Sequence, residues 1–183
     1  MVSPHSPPDN GAATHRLRLV APHLAEFRWA PTVVTVDPRD YEGELDPELL
    51  SLVPDDLDVV RVRAWSAKRT RRFGFGDLGI RAFPGLLREC PNRAVEQEFH
   101  CLFVTIYPTY PALLGLLVKK WTPVPFVLDY QDPWLSERGR STGPGANGRP
   151  DTRSRFSRLL APRLEPIAVA AAERNYRSVG RSS

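Results

Sequence analysis

The stretch FHCLFVTIYPTYPALLGLLVKKWTPVPFVLDYQDPW, residues 99–134, decides the fold class. Residues 99–106 are an almost unbroken apolar run, as expected of a strand that is buried on both faces of a parallel sheet. Residues 112–120 have the pattern of a helix, and residues 125–130 form a second apolar run. Strand, helix and strand within about thirty residues make a βαβ unit, in which the two strands run parallel. We therefore predict an α/β domain.

The same alternation continues upstream of this unit. Residues 13–27 place apolar side chains at roughly helical spacing, interrupted by Pro22. Residues 31–37 (PTVVTVD) and 57–64 (LDVVRVRA) predict two further strands, with a short helical stretch at 49–53 in the connection between them. A doubly wound sheet normally begins with a buried strand, whereas this sequence begins with a loop-like SPHSPPDNG. We expect the first strand to be absent or to lie upstream.

The composition changes after the last predicted strand. Residues 136–158 are rich in Gly, Ser, Pro and Arg and predict a polar, flexible loop. Residues 159–172 are apolar and Ala-rich and predict a helix, which would leave apolar surface exposed unless it packs back on the sheet. The predicted organisation is a domain of residues 1–135, the loop, and a terminal helix with a polar tail at 159–183. We expect the chain to be truncated at both ends.

Length, charge and cysteine content limit the class of protein. A chain of 183 residues is long enough for one α/β domain. No apolar stretch approaches the roughly 20 residues of a membrane span, and the start does not have the pattern of a secretory signal, so we expect a cytoplasmic protein. The lone pair Cys90 and Cys101 is then expected to be reduced.

Arginine is concentrated in two places, residues 68–72 (KRTRR) and 149–158. Such runs are most often a solvated face, and they can also favour phosphates or the inner surface of an anionic membrane. A nucleic-acid binder is the weakest interpretation, because the 25 basic residues face 21 acidic ones and no helix-turn-helix or zinc pattern occurs. We expect no nucleic-acid partner.

The loop PPDNGAATHR, residues 7–16, is the first candidate site. Asn10 and Gly11 stand just ahead of a predicted helix, where backbone N–H groups and the helix dipole favour an anion such as a diphosphate. The alternative is a proline-rich connector that leads into a helix. His5 and His15 flank the loop and could face a ligand.

Two other site types are predicted to be absent. GFGDLG, residues 74–79, matches the dinucleotide pattern GxGxxG, but KRTRRF stands where the preceding strand should be and Pro84 is expected to interrupt the following helix. The histidines lack the spacing of metal ligands, so we expect no metal, and His100 is expected in the core.

The carboxyl ends of the two C-terminal strands supply the second candidate site, because open α/β sheets bind ligands at that edge. Asp132, with Trp134, would form a rigid wall there, although Asp132 could instead cap a helix. Asp129 is expected to cap or turn. Tyr107 follows the other strand and suits sugar stacking, although aromatic side chains pack in cores more often.

Four stretches resemble, in the same order, bacterial group 1 (family 4) glycosyltransferases. They are SPHSPPDNGAATHRLRLVAPHL, WAPTVVTVDPRDYE, FGFGDLGIRAF and TPVPFVLDYQDPW, and the segment RLEPIAVAAAE is also similar to that family. The resemblance covers most of residues 3–134. It implies a Rossmann-like parallel sheet with helices on both faces, which forms the N-terminal, acceptor-side half of a GT-B architecture.

The resemblance also implies a function. Such an enzyme transfers a sugar from a nucleotide-sugar donor to a glycan or lipid-linked acceptor in cell-surface polysaccharide synthesis, and it needs no metal or other cofactor. The loop at Gly11 would face the donor diphosphate, and the turn at Asp132 with Tyr107 would line the acceptor side. We expect the donor-binding C-terminal half to be absent, so activity would require that half, either in a longer product or as a separate partner. The alternative is a non-catalytic binding remnant or subunit. The family often has a histidine after the strand that ends near Tyr107, and this chain has none, so no catalytic base is assigned.

Overall fold

A computed structural model of the protein describes residues 1–11, 13–73, 75–106, 110, 112–130 and 166–172. Asn10, Gly11 and His15 are therefore described. Tyr107, Asp132, Trp134 and the predicted polar loop at 136–158 lie outside the described residues.

The described residues form short parallel strand pairs and helices, which confirms the α/β class. All four predicted strands are present, each shorter than its apolar run. They are β1 (Thr32–Val36), β2 (Asp58–Val62), β3 (Leu102–Ile106) and β4 (Phe126–Tyr130). β1 pairs with β2 and β3 pairs with β4, both in parallel, as a βαβ connection requires. The Rossmann-like and GT-B assignments stay predictions.

The helices also follow the sequence pattern. The predicted helix at 13–27 is an α-helix that becomes a 3-10 helix where Pro22 enters, because proline cannot donate the next backbone hydrogen bond. The α-helices are α1 (Thr14–Val20), α2 (Ala67–Thr70), α3 (Leu78–Glu96) and α4 (Ala112–Trp121). Shorter 3-10 helices cover Ala21–Phe27, Pro38–Asp40, Pro47–Leu52 and Arg71–Phe73, and residues 166–172 are helical.

Residues 1–4 occupy the position of the strand that the sequence was expected to lack. Val2 pairs in parallel with both Val34 and Val104, and its N–H donates to the Phe103 carbonyl at 2.7 Å. The order across the sheet is therefore β2, β1, residues 1–4, β3, β4. The expectation that the first strand is absent was wrong, because so short a segment carries no periodic signal before its proline.

Helices pack against both faces of this sheet. One face carries a large aliphatic cluster in which Val34 and Val104 pack with buried side chains of α3 and α4 and with Ala168. The other face carries a small cluster in which Val33 packs with Leu17 of α1. Val33 and Val34 point to opposite faces because side chains alternate along a strand.

α3 corrects the expectation that Pro84 would interrupt it. The helix runs through Pro84 and Pro91, although each internal proline costs about 3 kcal/mol in an isolated helix. Side chains at every fourth position of the helix are buried in the large aliphatic cluster, and this burial offsets the cost of the two prolines. They are Ala82, Leu86, Cys90 and Ala94.

The structure also bears on the predictions for the two cysteines, for His100 and for a membrane span. Cys90 and Cys101 are free, and burial raises the pKa of the Cys90 thiol to about 12. His100 is exposed in the connection before β3, so its predicted place in the core was wrong. None of the helices in the described residues is both long and apolar enough to span a bilayer.

Candidate functional site

Residues 3–11, the 3–11 loop, leave the sheet at the carboxyl ends of its strands and return toward α1. Residues 41–46 hold this loop through backbone hydrogen bonds from both sides. The Asn10 N–H donates to the Glu44 carbonyl at 3.1 Å, and the Asp46 N–H donates to the Pro8 carbonyl at 2.7 Å. The loop is therefore fixed by contacts more than thirty residues away in sequence.

His5 and Asp9 face each other across this loop. The Asp9 carboxylate is almost fully buried and forms a short contact with His5 Nδ1, while its other oxygen accepts from the Gly11 N–H at 3.2 Å. Burial raises the pKa of Asp9, but the hydrogen bond and charge of His5, with the Gly11 N–H, outweigh it and the pKa lies below its usual value. Asp9 thus orients the imidazole of His5.

Tyr41 supports the same imidazole from the other side. Its ring stacks on that of His5 with centroids 5.8 Å apart and planes 15° from parallel. Its hydroxyl accepts from the Ser6 N–H at 3.1 Å and donates to the Pro4 carbonyl at 3.3 Å. Burial raises the pKa of Tyr41, so the hydroxyl stays protonated and keeps its role as a donor.

The two predicted phosphate-loop residues, Asn10 and Gly11, are exposed at this edge. Their backbone N–H groups are not free as the sequence suggested, because they donate to the Glu44 carbonyl and to the Asp9 carboxylate. An anion could use these two donors only by replacing those contacts. The diphosphate contact therefore stays a prediction, and it requires the loop to rearrange.

His15 lies on an exposed part of α1, one turn from Arg18. The Arg18 Nη2 donates to His15 Nδ1 at 2.7 Å. The structure thus places His15 in a local surface pair on the helix, and it brings together His5, Asp9 and Tyr41 instead. Of the histidines that flank the loop, His5 is the one built into its hydrogen-bonded centre.

A row of polar side chains crosses the α1 face of the sheet, one step before the carboxyl ends of the strands. The strand register places them side by side on adjacent strands, and alternation puts them on the face opposite the main cluster. The row consists of Thr35, Ser3, Thr105 and Asp129.

Asp129 ends this row and was misread from the sequence. It lies within β4 instead of capping or turning, and its Oδ2 is 2.8 Å from Arg16 Nε of α1. That oxygen has no hydrogen-bond partner in the described part of the chain, so the two groups form an ion pair without hydrogen-bond geometry. Burial raises the pKa of Asp129, and Arg16 opposes that shift.

An arginine cluster joins the region after β2 to the segment that holds the loop. Arg81 is only 2% exposed, and it donates to the Trp65 carbonyl at 2.9 Å, to the Asp40 carbonyl at 3.1 Å and to Glu42 at 3.2 Å. Arg71 also contacts Glu42, at 2.7 Å. Arg81 was not predicted from the sequence, because a buried arginine on one face of a helix is recognisable only through its partners.

Within the described residues, no three His, Cys, Asp or Glu side chains are grouped so that they could hold a metal ion. The chemistry that this edge offers is an imidazole with a fixed orientation beside exposed loop backbone. Comparison of the chain with protein-family models, with curated proteins and with solved structures finds no match.

Proposed function

We propose that the chain is the N-terminal, acceptor-side half of a GT-B glycosyltransferase of the group 1 (family 4) kind. Together with a donor-binding half, it would transfer a sugar from a nucleotide sugar to a glycan or lipid-linked acceptor in cell-surface polysaccharide synthesis. Four stretches that resemble this family in the family's own order support the proposal. The order of the strands supports it as well, because a central first segment with two strands on each side is the 3-2-1-4-5 order of doubly wound sheets.

The position of the 3–11 loop is the observation that carries the proposal. The loop follows residues 1–4 at the point where the chain order reverses, with β1 and β2 on one side and β3 and β4 on the other. In open α/β sheets, ligands bind in the crevice outside the carboxyl ends of the strands at this reversal. The residues that the loop presents there are polar and fixed, which suits a ligand rich in hydroxyl and phosphate groups.

The transfer step defines what the loop has to do. The bond between the sugar and the donor diphosphate breaks, a bond forms between the sugar and an acceptor hydroxyl oxygen, and the hydroxyl proton must be accepted by a base or by the leaving diphosphate. An imidazole held in one orientation by a buried carboxylate is a suitable acceptor for that proton. We assign this role to His5, with Asp9 and Tyr41 as its positioning residues.

Asn10 and Gly11 would face the donor diphosphate, and His15, Tyr107, Asp132 and Trp134 are proposed for the acceptor side. In this arrangement, the Asn10 and Gly11 N–H groups exchange their internal acceptors for phosphate oxygens when the donor arrives. Asp9 keeps its contact with His5 through its other carboxylate oxygen, Oδ2. Donor binding and orientation of the imidazole would therefore be coupled through one carboxylate.

Titration calorimetry of the 183-residue protein tests this proposal directly. The probes are UDP-, GDP- and dTDP-linked sugars and a polyprenyl-diphosphate-linked sugar in detergent micelles. We expect the acceptor to bind, and we expect His5→Gln to weaken that binding about tenfold, the effect of losing one well-formed polar contact. His23→Gln is the matched control, because His23 is exposed and pairs only with Glu26 among the described residues.

The intact mass of the product made from its native locus is the complementary measurement. A product about twice this length would carry a second domain of similar size, and it should be assayed for transfer. Correctly folded protein that binds neither a nucleotide sugar nor the polyprenyl-linked sugar would overturn the proposal.

A further inference from the structure

Residues 65–73, the 65–73 turn, follow β2 and carry an unusual surface. Exposed aromatic side chains stand at both ends of the turn, with Trp65 59% exposed and Phe73 78% exposed. Between them, the basic side chains face solvent. Isolated exposed apolar residues are ordinary, whereas two large aromatic side chains that flank a basic cluster mark an interaction surface.

The turn is held firmly to the domain by its inner side. Thr70 is buried, and its hydroxyl donates to the Ser66 carbonyl at 3.2 Å. The Trp65 backbone exchanges contacts with Arg81, because its N–H donates to the Arg81 carbonyl at 3.0 Å and its carbonyl accepts from Arg81 Nη1 at 2.9 Å. The aromatic and basic side chains are therefore presented outward by a fixed backbone.

The charge of this surface is only partly compensated. Residues 59–76 contain six basic side chains and no acidic one. Arg63 pairs with Asp40 and Arg71 pairs with Glu42. The other four have no ion-pair partner within the described ranges, and they are Arg61 in β2 and Lys68, Arg69 and Arg72 in the turn. The three like charges within residues 68–72 repel one another, and an anionic partner would relieve that repulsion.

We propose that the 65–73 turn docks the protein on an anionic phospholipid bilayer. Tryptophan is the side chain that best suits the headgroup region, and phenylalanine can enter the acyl boundary. Each basic residue near an anionic surface strengthens binding about fivefold. A nucleic acid would be contacted through a longer basic stripe, whereas here three of the four uncompensated charges lie in one turn with an apolar side chain at each end.

This surface lies on the same edge of the sheet as the 3–11 loop. The turn follows the carboxyl end of β2, and Glu42, which binds both Arg71 and Arg81, is adjacent in sequence to Tyr41. Docking would thus place the proposed acceptor site near the lipid surface. The membrane contact does not depend on glycosyl transfer, because it is carried by the turn alone.

Flotation of the 183-residue protein with large unilamellar vesicles tests the proposal. The vesicles contain phosphatidylcholine alone or with about one third phosphatidylglycerol, and neither contains a polyprenyl lipid. We expect binding to the anionic vesicles only, weakening strongly between about 50 and 500 mM salt because screening shortens the electrostatic range. The triple variant Lys68→Gln, Arg69→Gln, Arg72→Gln should bind about 100-fold less.

A second triple variant changes the net charge equally at exposed sites outside the turn and should bind like the wild type. It combines Arg39→Gln, Arg88→Gln and Lys120→Gln. The double variant Trp65→Ser, Phe73→Ser, with an unchanged circular dichroism spectrum, should lose the salt-resistant part of the binding. Equal binding to neutral vesicles, equal loss in both triple variants, or RNA binding without vesicle binding would each overturn the proposal. Calorimetry with the polyprenyl-linked sugar in micelles separates this failure from a failure of the proposed function.

Discussion

On the face of the sheet that α3 and α4 cover, the strands present aliphatic side chains to an aliphatic cluster, whereas on the α1 face the same strands present hydroxyls and a carboxylate. Val34 and Val104 point to the first face, and Thr35 and Thr105, one residue later, point to the second. All four are almost fully buried. The two faces of the sheet are therefore equally buried, but one is covered by aliphatic side chains and the other carries polar ones.

This difference separates two kinds of stabilisation. Aliphatic burial is non-directional, so it rewards compactness and tolerates small shifts. A buried hydroxyl or carboxylate is favourable only with a partner in the right place, as with Thr105 Oγ1, which donates to the Val2 carbonyl at 3.1 Å. The polar row therefore fixes the position of residues 1–4 and of the loop that follows, while the aliphatic face supplies most of the free energy of folding.

Truncation of Leu86 should give the largest effect. Leu86 is fully buried in the aliphatic cluster, so Leu86→Ala should lower the free energy of unfolding by about 2–5 kcal/mol. Leu19→Ala is the same change on an exposed helical position and should cost less than about 0.5 kcal/mol. Urea denaturation followed by circular dichroism measures both. Similar losses of unfolding free energy at the two positions would show that the aliphatic cluster is not the main source of stability.

Gly115 in α4 tests how tightly the aliphatic face is packed. A Cβ at Gly115 would lie 2.4 Å from Phe126 Cδ2, a separation that forces the ring or the helix to move. Overpacking costs about 1–3 kcal/mol and helix propensity returns about 1 kcal/mol, so Gly115→Ala should destabilise the protein by up to about 2 kcal/mol. Gly43→Ala meets only Asp9 at 3.4 Å and should be nearly neutral in thermal denaturation. A stabilised Gly115→Ala variant would show that this interface is loose.

The two faces also differ in how far the sequence predicts them. The strands and α4 were predicted because apolar runs and helical spacing are local signals, and the long apolar run of β3 carried most of that information. The polar site was not predicted in the same way. His5 and Asp9 are four residues apart in a loop without regular structure, and Tyr41 reaches them from more than thirty residues away, so no periodic pattern predicts that the three meet.

Long-range contacts also explain why Asp129 and residues 1–4 were predicted incorrectly from the sequence. Asp129 was interpreted from its position near a turn, whereas its role comes from Arg16, more than a hundred residues away. Residues 1–4 are too short for any periodic pattern, and their strand position comes from hydrogen bonds with β1 and β3 on either side. Local patterns thus gave the framework, and long-range polar pairing gave the site.

Asp9→Asn tests the polar edge through its pH dependence. The pKa of Asp9 is depressed, so its ionised form stabilises the folded state above the ordinary aspartate pKa of about 3.9, and that stability is lost as the pH falls through the lower folded value. At pH 7, Asp9→Asn should cost about 1.5 kcal/mol, the lower end of the range for a hydrogen bond to a charged group, because the amide oxygen of Asn can still accept from the Gly11 N–H. The difference from the wild type should shrink below about pH 4.

Urea denaturation at pH 7, 5, 4 and 3 measures this difference. Asp46→Asn is the matched control, because Asp46 accepts only a local backbone N–H in an exposed turn among the described contacts. A difference between Asp9→Asn and the wild type that stayed constant down to pH 3 would show that the carboxylate charge does not stabilise the loop.

Substitution of Asp129 should give the smallest change in stability, and the experiment tests whether that change is a gain or a loss. Burial raises the pKa of Asp129, so the ionised form destabilises the folded state, and this cost grows as the pH rises through the interval between the ordinary and the raised value. At pH 7, Asp129→Asn removes that cost and leaves Arg16 solvated, so stability should rise by up to about 1 kcal/mol, or about 2–4 °C in Tm. Arg16→Gln instead leaves the buried carboxylate alone and should destabilise at pH 7 but not once Asp129 is protonated. If Asp129→Asn destabilised the protein as much as Arg16→Gln, the ion pair would be a net stabiliser. The α1 face would then contribute to the free energy of folding as the aliphatic face does, and not only to the position of residues 1–4 and the 3–11 loop.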